Sequence, residues 1–325
     1  MRTTGPVCIE RVVPPALDRP PVPIRIGPAG WAYRDWEGIV FPRPKPRGFD
    51  PLEYLSRFFD ALEINTTFYA PAKIEVAEKW ADRVERHPTF RFSVKLWGRF
   101  THERDETPTD REVRQARAAL DVLSARGRLG AALLQFPWSF RHTEENRSWL
   151  DGVLSPFAGY PLVVEVRHAS WVRPEFFQEL QERGVGFVNV DQPLFKSSIK
   201  PGARGTGRVA YIRVHGRNYH DWFRKTAGRD SRYDYLYTAE ELRPWADRAA
   251  ELARQPITSE VYVIANNHTR GKGPANALML ESMLAGHKVQ SPPPLYAAYR
   301  DQLEPFVEPA QAQPGAGAAP RPAGR

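Results

Sequence analysis

Short apolar runs recur along the central part of the chain, and stretches with helical periodicity lie between them. Most of the runs are rich in Val, Ile, Leu or Phe and are bounded by Gly or Pro, which is typical of buried parallel strands. The runs cover residues 24–27, 61–66, 90–97, 131–136, 162–167, 186–190, 209–215 and 261–266. The pattern therefore predicts eight strands.

Helix signals occupy most of the connections. Thr109 and Thr238 are each followed at the third position by Glu, which is the capping-box pattern, and Pro51 suits a first helical turn. Further helical patterns cover 71–86, 174–183 and 274–284. Residues 191–208 contain Gly, Pro and Ser and are predicted to be irregular. Strands that alternate with helices predict an α/β fold, a (β/α)8 TIM-type barrel; a doubly wound open sheet is the alternative, because strand order is not visible in a sequence.

The two ends of the chain differ from the middle. Residues 1–23 and 287–325 together hold 14 of the 31 Pro and none of the Trp. Such a composition buries too little apolar surface to fold on its own. We therefore predict one barrel domain over 24–286 with flexible Pro-rich tails on both sides, and room for one short helix over 295–306.

Composition narrows the class of protein. A hydrophobic fraction of 42% in 325 residues can fill a sizeable core, which excludes a wholly disordered chain. The single cysteine, Cys8, excludes an intramolecular disulfide and suits a reducing compartment. Neither a membrane-spanning run nor a secretory apolar segment is visible, so we expect a cytoplasmic protein without a membrane partner. The net charge of +8 favours anionic partners.

Alternation along the strands separates two sets of side chains, because successive strand residues point to opposite faces. One set is apolar and suits packing against helices; Leu62 and Ile64 are examples. The other set is polar near the carboxyl ends of the strands, and it comprises Glu63, Asn65, Ser93, Lys95, Trp97, Gln135, Glu165, Arg167, Asn189, Asp191, Arg213, His215 and Asn266. Three carboxylates and three cations would thus meet at the barrel mouth, where active sites of this fold lie. The alternative is a salt-bridge network that only orients the barrel.

The chain also resembles a known family. The matching segments, which follow one another over most of 24–286, are 27–31 with Tyr33 and Trp36, 63–69, 92–95 with 101–102, 135–140, 165–171 with Asp191, 211–217, and 266–268 with Pro274 and 276–278. They are similar to the domain-of-unknown-function family 72, the YecE-like family, and this resemblance implies a TIM-type barrel but no settled reaction. The first motif of that family usually reads Gly-Thr-Ser-Gly-Trp, whereas Pro28 and Ala29 here remove both hydroxyls.

Roles follow from the chemistry of these groups. Carboxylates in different surroundings supply an acid and a base, and arginines clamp carboxylates or phosphates. The predicted catalytic residues are Glu63, Lys95, Glu165, Asp191 and His215. The predicted substrate-binding residues are Trp31, Asn65, Gln135, Arg167, His168, Arg213, Arg217, Asn266 and Asn267. We expect a hydrolase, lyase or isomerase that acts on a small anionic or carbohydrate-like substrate such as a sugar phosphate.

Other interpretations remain open. Lys95 could instead form a Schiff base, and His102, His168 and His268 follow strands as candidate bases. No cofactor is predicted, although Glu63, Glu165, Asp191 and His215 offer ligands for Mg, Mn or Zn.

Two further alternatives concern the partner. Basic and aromatic residues interleave over 216–237, which suits nucleic acid and a phosphodiester-cleaving barrel of the endonuclease-IV type. A non-catalytic ligand-binding barrel is the other alternative. The sequence predicts no particular oligomeric state.

Overall fold

The computed structural model describes residues 22–220, 222 and 231–311, and eight parallel strands form the centre of the fold. The strands are β1 (Ile24–Pro28), β2 (Ala61–Ile64), β3 (Arg91–Lys95), β4 (Leu129–Gln135), β5 (Leu162–Glu165), β6 (Gly186–Asp191), β7 (Val209–Val214) and β8 (Glu260–Ala265). The first and last residues of each strand lie within two or three residues of those of a predicted run. The eight strands predicted from the apolar pattern are therefore confirmed.

The sheet closes on itself between β1 and β2. Its hydrogen-bonded order is β1-β8-β7-β6-β5-β4-β3-β2, and a parallel bridge joins Ala29 to Glu63 at the remaining seam. At this seam the strands approach so closely that a Cβ atom on Gly27 would lie 1.7 Å from the Ala61 carbonyl oxygen. Glycine is required there because only it lacks the clashing atom. The closed order confirms a (β/α)8 TIM-type barrel rather than an open sheet.

Helices surround the sheet. They are α1 (Pro51–Leu55), α2 (Ile74–Arg83), α3 (Asp110–Ala125), α4 (Glu144–Leu154), α5 (Pro174–Glu182), α6 (Ala239–Arg254) and α7 (Lys272–Ala285). Both predicted capping boxes form, at Thr109 with Glu112 and at Thr238 with Glu241. Residues 192–208, all of them described, connect β6 to β7 without a helix, as predicted. In the part of the chain that the structure describes, no helix combines the length and apolar character needed to cross a bilayer.

The predicted alternation holds on most strands and fails on β6. Val188 and Val190 belong to the apolar cluster inside the barrel, so Asn189 and Asp191 point outward, and the predicted orientation of this strand is wrong. The reason is the missing helix between β6 and β7. An irregular segment covers that face and offers backbone groups, so Asn189 Nδ2 donates to the Arg204 carbonyl at 3.0 Å and its Oδ1 accepts from Arg204 N at 2.8 Å.

Two tyrosines fill the barrel below its mouth. The rings of Tyr211 and Tyr262 stack with centroids 6.0 Å apart, and both residues are fully buried. Gly130 leaves room for Tyr262, since a Cβ atom there would lie 2.2 Å from Tyr262 Oη. At this level the barrel interior is therefore a packed core.

The folded part continues beyond the predicted domain end at 286. Residues 287–311 include β9 (Val289–Ser291), α8 (Pro293–Ala298), α9 (Arg300–Leu303) and β10 (Val307–Pro309), and β9 pairs with β10 in parallel. Leu295, Leu303 and Val307 are buried against the barrel. These apolar contacts hold in place a segment whose Pro-rich composition predicted a flexible tail. Residues 1–21 and 312–325, with Cys8, lie outside the described residues.

A buried carboxyl group on α7 predicts a pH-dependent cost to stability. Burial, together with nearby Asp60, raises the pKa of Glu281 to about 7, and Glu281 Oε2 has no hydrogen-bond partner in the described part of the chain. A carboxyl whose folded pKa exceeds its unfolded value destabilises the fold increasingly as pH rises through that interval. We therefore expect Glu281→Gln to raise the free energy of unfolding near pH 8 by about 1–3 kcal/mol, with little effect near pH 5.

Urea denaturation at both pH values measures this effect. The control is Glu78→Gln, which removes an exposed carboxylate from α2 and should change stability little at either pH. An equal effect of Glu281→Gln at both pH values would contradict the prediction.

Candidate active site at the carboxyl ends of the strands

A cavity of about 270 Å³ opens at the carboxyl ends of the strands, where this fold carries its active sites. Its polar lining consists of Asn65, Thr66, Lys95, Gln135, Arg167, Arg213, Asn266 and His268. Its aromatic lining consists of Trp31, Tyr33, Phe68, Tyr69 and Tyr233. The structure thus brings together seven of the predicted site residues, namely Trp31, Asn65, Lys95, Gln135, Arg167, Arg213 and Asn266.

Arg213 joins two carboxylates below the cavity. Its Nη1 donates to Glu165 Oε2 and its Nη2 donates to Glu63 Oε1, each at 2.6 Å. Tyr211 Oη donates to Glu63 Oε2 at 3.1 Å and lies 2.7 Å from Ser93 Oγ. The side chain of Arg213 is 2% exposed and both carboxylates are fully buried. Glu63 and Glu165 therefore lie behind the arginine rather than on the cavity surface.

Glu165 is the centre of this network. Arg167 Nε donates to its Oε1 at 2.8 Å, and His215 Nε2 lies 3.2 Å from the same oxygen. Burial alone would raise the pKa of Glu165, but Arg213, Arg167 and His215 hold it well below its ordinary value. Burial and Arg167 lower the pKa of His215 to about 3, so the ring is neutral at pH 7. Its Nδ1 lies 2.9 Å from Asn266 Nδ2 and its Nε2 lies 3.2 Å from Glu165 Oε1, so a proton on Nε2 suits both of these contacts.

Lys95 differs from the two arginines because it has no carboxylate of its own. Its Nζ lies 4.0 Å from the centre of the Phe68 ring and forms no hydrogen bond or ion pair with the described residues. Burial and Arg213 lower its pKa to about 7, although Glu63 and Glu165 act in the opposite direction. The amine therefore titrates near neutral pH while it faces the cavity.

Asp191 and Arg217 lie outside this cluster. Arg217 Nε donates to Asp191 Oδ2 at 2.9 Å, and its Nη1 lies 3.3 Å from Glu241 at the start of α6. Burial raises the pKa of Asp191, although Arg217 opposes the rise. Because β6 points Asp191 away from the interior, the structure does not bring it together with Glu63 and Glu165. The sequence interpretation of three interior carboxylates is corrected to two.

His168 and Asn267, two further predicted binding residues, also lie away from the cavity lining. His168 Nδ1 accepts from Ser170 N at 3.1 Å and caps the short helical turn Ala169–Trp171. Asn267 Nδ2 donates to the Tyr235 carbonyl at 2.7 Å and so holds the segment that follows β7. Trp97, predicted to face inward, packs against Phe100 outside the mouth. These side chains support the loops around the site.

Aromatic residues that strand alternation did not identify form the walls of the cavity. Tyr33 stacks on His268 with ring centroids 4.4 Å apart, and Tyr233 lies 5.3 Å from the same ring. Phe68 lies in a 3-10 turn after β2, where the period of two no longer applies. Trp222 lies above Arg167, whose guanidinium carbon is 5.7 Å from the ring centre. The family resemblance pointed to two of these residues, because the segments that match the family include Tyr33 and Phe68.

The candidate metal ligands do not converge. Within the described ranges, no three His, Cys, Asp or Glu side chains form a group that could hold a metal ion. Glu63 and Glu165 are engaged by arginines, and Asp191 lies on the opposite face of the strand wall.

Much of the basic and aromatic loop that suggested a nucleic-acid partner lies outside the described residues. Phe223, Arg224, Lys225 and Arg229, the central residues of the basic and aromatic loop, are not among the described residues. Trp222 and Tyr233 from the same loop are described; Tyr233 lines the small cavity, and the Trp222 ring lies 6.4 Å from the Tyr233 ring. Nucleic-acid binding therefore stays a prediction from sequence.

A (β/α)8 barrel with cations and aromatic rings around a cavity at the carboxyl ends of its strands defines the general class of this protein. The comparison with family models then identifies the family: the chain belongs to the family described as protein of unknown function DUF72, whose model matches residues 25–298. This match confirms the resemblance inferred from the sequence motifs. It includes the segment after residue 286 that carries α8.

Individual relatives agree with this assignment. The UPF0759 protein YunF of Bacillus subtilis is 29% identical over 274 residues, which cover 80% of this chain and 94% of that protein. The UPF0759 protein YecE of Escherichia coli is 31% identical over 180 residues, 52% of this chain and 59% of that protein. A DUF72 family protein of Thermotoga maritima, solved by crystallography, superposes with a TM-score of 0.69 at 31% identity and covers 81% of this chain and 99% of its own. A DUF72 family protein of Enterococcus faecalis, at 24% identity and a TM-score of 0.70, supports the fold.

Proposed function

We propose that this protein is an enzyme that binds a small anionic substrate in the cavity at the barrel mouth. One observation carries the proposal: Lys95, Arg167 and Arg213 line the cavity, while the carboxylates that balance two of them lie behind. A ligand that enters this cavity meets hydrogen-bond donors and positive charge. Charge-assisted hydrogen bonds to a carboxylate or phosphate are the strong interactions that such donors make.

The charge of the cluster supports an anion as well. With Asp191 on the outer face, three cations stand against two carboxylates, which leaves a net charge of +1 when Lys95 is protonated. His215 does not change this sum, because its lowered pKa keeps it neutral. Buried charge is costly unless it is paired, so a bound anion would supply the missing partner.

The walls of the cavity suit the carbon skeleton of the substrate. The aromatic residues Trp31, Phe68, Tyr33 and Tyr233 line the same space. Ligand sites are commonly apolar with a few convergent polar groups, and a volume of about 270 Å³ limits the occupant to a small molecule.

Lys95 is the best-placed group for proton transfer. A catalytic acid or base works best when its pKa lies near the working pH, and Lys95 has a pKa of about 7. Glu165, in contrast, is held ionised and its oxygens accept from Arg213 and Arg167. The proposed reaction is therefore a hydrolase, lyase or isomerase step in which Lys95, rather than a carboxylate, contacts the substrate.

Replacing Arg167 tests the binding proposal. Its Nη1 forms no hydrogen bond within the described residues, which leaves it available to an anion. We expect Arg167→Gln to weaken the binding of small carboxylates and phosphates by about tenfold to a hundredfold, the value of one charge-assisted hydrogen bond. The rise in melting temperature with a panel of such anions measures this.

A matched arginine on the surface provides the control. Arg126 pairs with Asp82 in an exposed ion pair, so Arg126→Gln removes the same charge at a distance from the cavity. The response of this variant to anions should equal that of the wild type. An unchanged response of Arg167→Gln would contradict the proposed site.

A further inference from the structure

Lys95 is placed as a nucleophile as well as a base. Its Nζ faces the cavity over the Phe68 ring and has no carboxylate or hydrogen-bond acceptor of its own among the described residues. A lysine that serves only as a charged partner would be expected to contact its counter-ion. Here the cations that ion-pair with Glu63 and Glu165 are arginines, not Lys95.

The charged groups around Lys95 favour the neutral amine. Arg213 on β7 and Arg167 after β5 repel its proton, and the carboxylates Glu63 and Glu165 only partly compensate after burial has acted. His102, in the loop after β3, has its pKa lowered to about 4 by burial and by Lys95 itself, so it adds no charge at pH 7. A neutral amine is the form that attacks a carbonyl carbon.

The neighbouring strand supplies a polar partner for an adduct. Ile64 pairs with Val94 in the parallel register, so Asn65 follows β2 beside Lys95 on β3, and both residues line the cavity. Asn65 Oδ1 is buried and has no hydrogen-bond partner within the described residues. An unsatisfied buried acceptor is costly, and an N–H group or hydroxyl on a ligand would satisfy it.

We propose that Lys95 forms an imine with the carbonyl group of a small anionic aldehyde or ketone whose anionic group is bound by Arg167. The inference rests on the proposed function and names the substrate class of the same site. In this step the Nζ lone pair forms a bond to the carbonyl carbon, the carbon–oxygen bond breaks, and the oxygen leaves as water with the two protons that the amine nitrogen loses. The products are one imine and one water, so no oxidant or reductant takes part. The imine nitrogen, once protonated, withdraws electrons from the adjacent carbon, which is the chemistry of lyases and isomerases that use lysine.

Reductive trapping tests this proposal on the wild-type protein. We incubate it near pH 8 with pyruvate and sodium cyanoborohydride, which donates hydride to an imine and converts it to a stable secondary amine. Intact-mass and peptide analysis then locate the adduct. We expect one adduct per chain at Lys95, formed at least about tenfold faster than at exposed Lys79, because most of an ordinary lysine is protonated at this pH.

Controls separate the imine from the anion site. Lys95→Arg carries a permanent positive charge but lacks the primary amine, so the adduct at this position should disappear. Acetone, a neutral ketone of similar size, should label Lys95 more slowly than pyruvate, and Arg167→Gln should remove that preference.

If Lys95 reacts no faster than Lys79 with pyruvate, the imine proposal is overturned, and anion-dependent stabilisation would still support the proposed function. If Lys95 is labelled rapidly by both ketones while anions bind nowhere in the cavity, the imine stands and the anion site fails.

Discussion

Replacing Arg213 by Met is expected to lower the free energy of unfolding by about 3–5 kcal/mol near pH 8, the largest loss of stability that we predict for one substitution. The guanidinium is the only cation that ion-pairs with Glu63 among the described residues, and it also pairs with Glu165. Removing it leaves a buried carboxylate without its counter-charge. Such a charge costs more than the lost hydrogen bonds alone.

Two further variants make this result specific. Arg213→Met combined with Glu63→Gln removes the stranded charge, so the double variant should regain part of the lost stability. Arg126→Met, on the exposed pair with Asp82, should cost less than about 1 kcal/mol. Urea denaturation measures all three. A loss below about 1 kcal/mol for Arg213→Met, or a double variant less stable than the single one, would show that the network does not support the barrel as described.

The pH dependence of this loss has a definite sign. Without Arg213 the pKa of Glu165 rises, because burial raises it and Arg213 is the largest of the charges that lower it. A raised folded pKa means that protonation at lower pH relieves the penalty. The difference between variant and wild type should therefore shrink from pH 8 to pH 5.

The sequence predicted the barrel well because most of its strands obey one physical rule. On β2, β5 and β7 the outer face packs against helices and is apolar, so the polar residues on the other face stood out. On β6 the rule failed for a local reason. Residues 192–208 form no helix, so Asn189 on the outer face of β6 meets the Arg204 backbone, and Asp191 on the same face pairs with Arg217.

The arrangement inside the site was harder to predict. Alternation placed Lys95, Glu165 and Arg213 on the same side of their strands, but it did not predict which cation is left without a carboxylate. That depends on side-chain pairing: Arg213 binds both interior carboxylates, whereas Lys95 extends over Phe68. Of the aromatic walls, strand alternation missed Tyr33 and Phe68 because both lie after the strands, where alternation does not apply.

The second large effect concerns anion binding and pH. In the free protein burial and Arg213 lower the pKa of Lys95 to about 7, and a bound anion beside the amine would raise it. Binding then takes up a proton above pH 7, and affinity falls as pH rises. Sulfate is the suitable probe because it does not titrate in this range. Between pH 6 and pH 8.5 we expect its association constant to fall by about ten- to thirtyfold.

Substitutions of residues that line the cavity test whether Lys95 causes this pH dependence of sulfate binding. Lys95→Arg keeps a permanent charge and should bind sulfate with little change over the same range. Lys95→Met should bind weakly throughout. His268 also lines the cavity, so His268→Gln tests whether it contributes; we expect it to retain the pH dependence of the wild type.

Calorimetric titration of sulfate into the wild type and Lys95→Arg, in two buffers of different ionisation enthalpy, counts the protons taken up on binding. Near pH 7.5 we expect the wild type to bind sulfate and take up a substantial fraction of one proton, and Lys95→Arg to bind it with almost none. That result would place the anion beside Lys95 in the cationic cavity. Absence of sulfate binding near pH 6, or equal proton uptake by both proteins, would contradict the central claim that this cavity is an anion site in which Lys95 titrates.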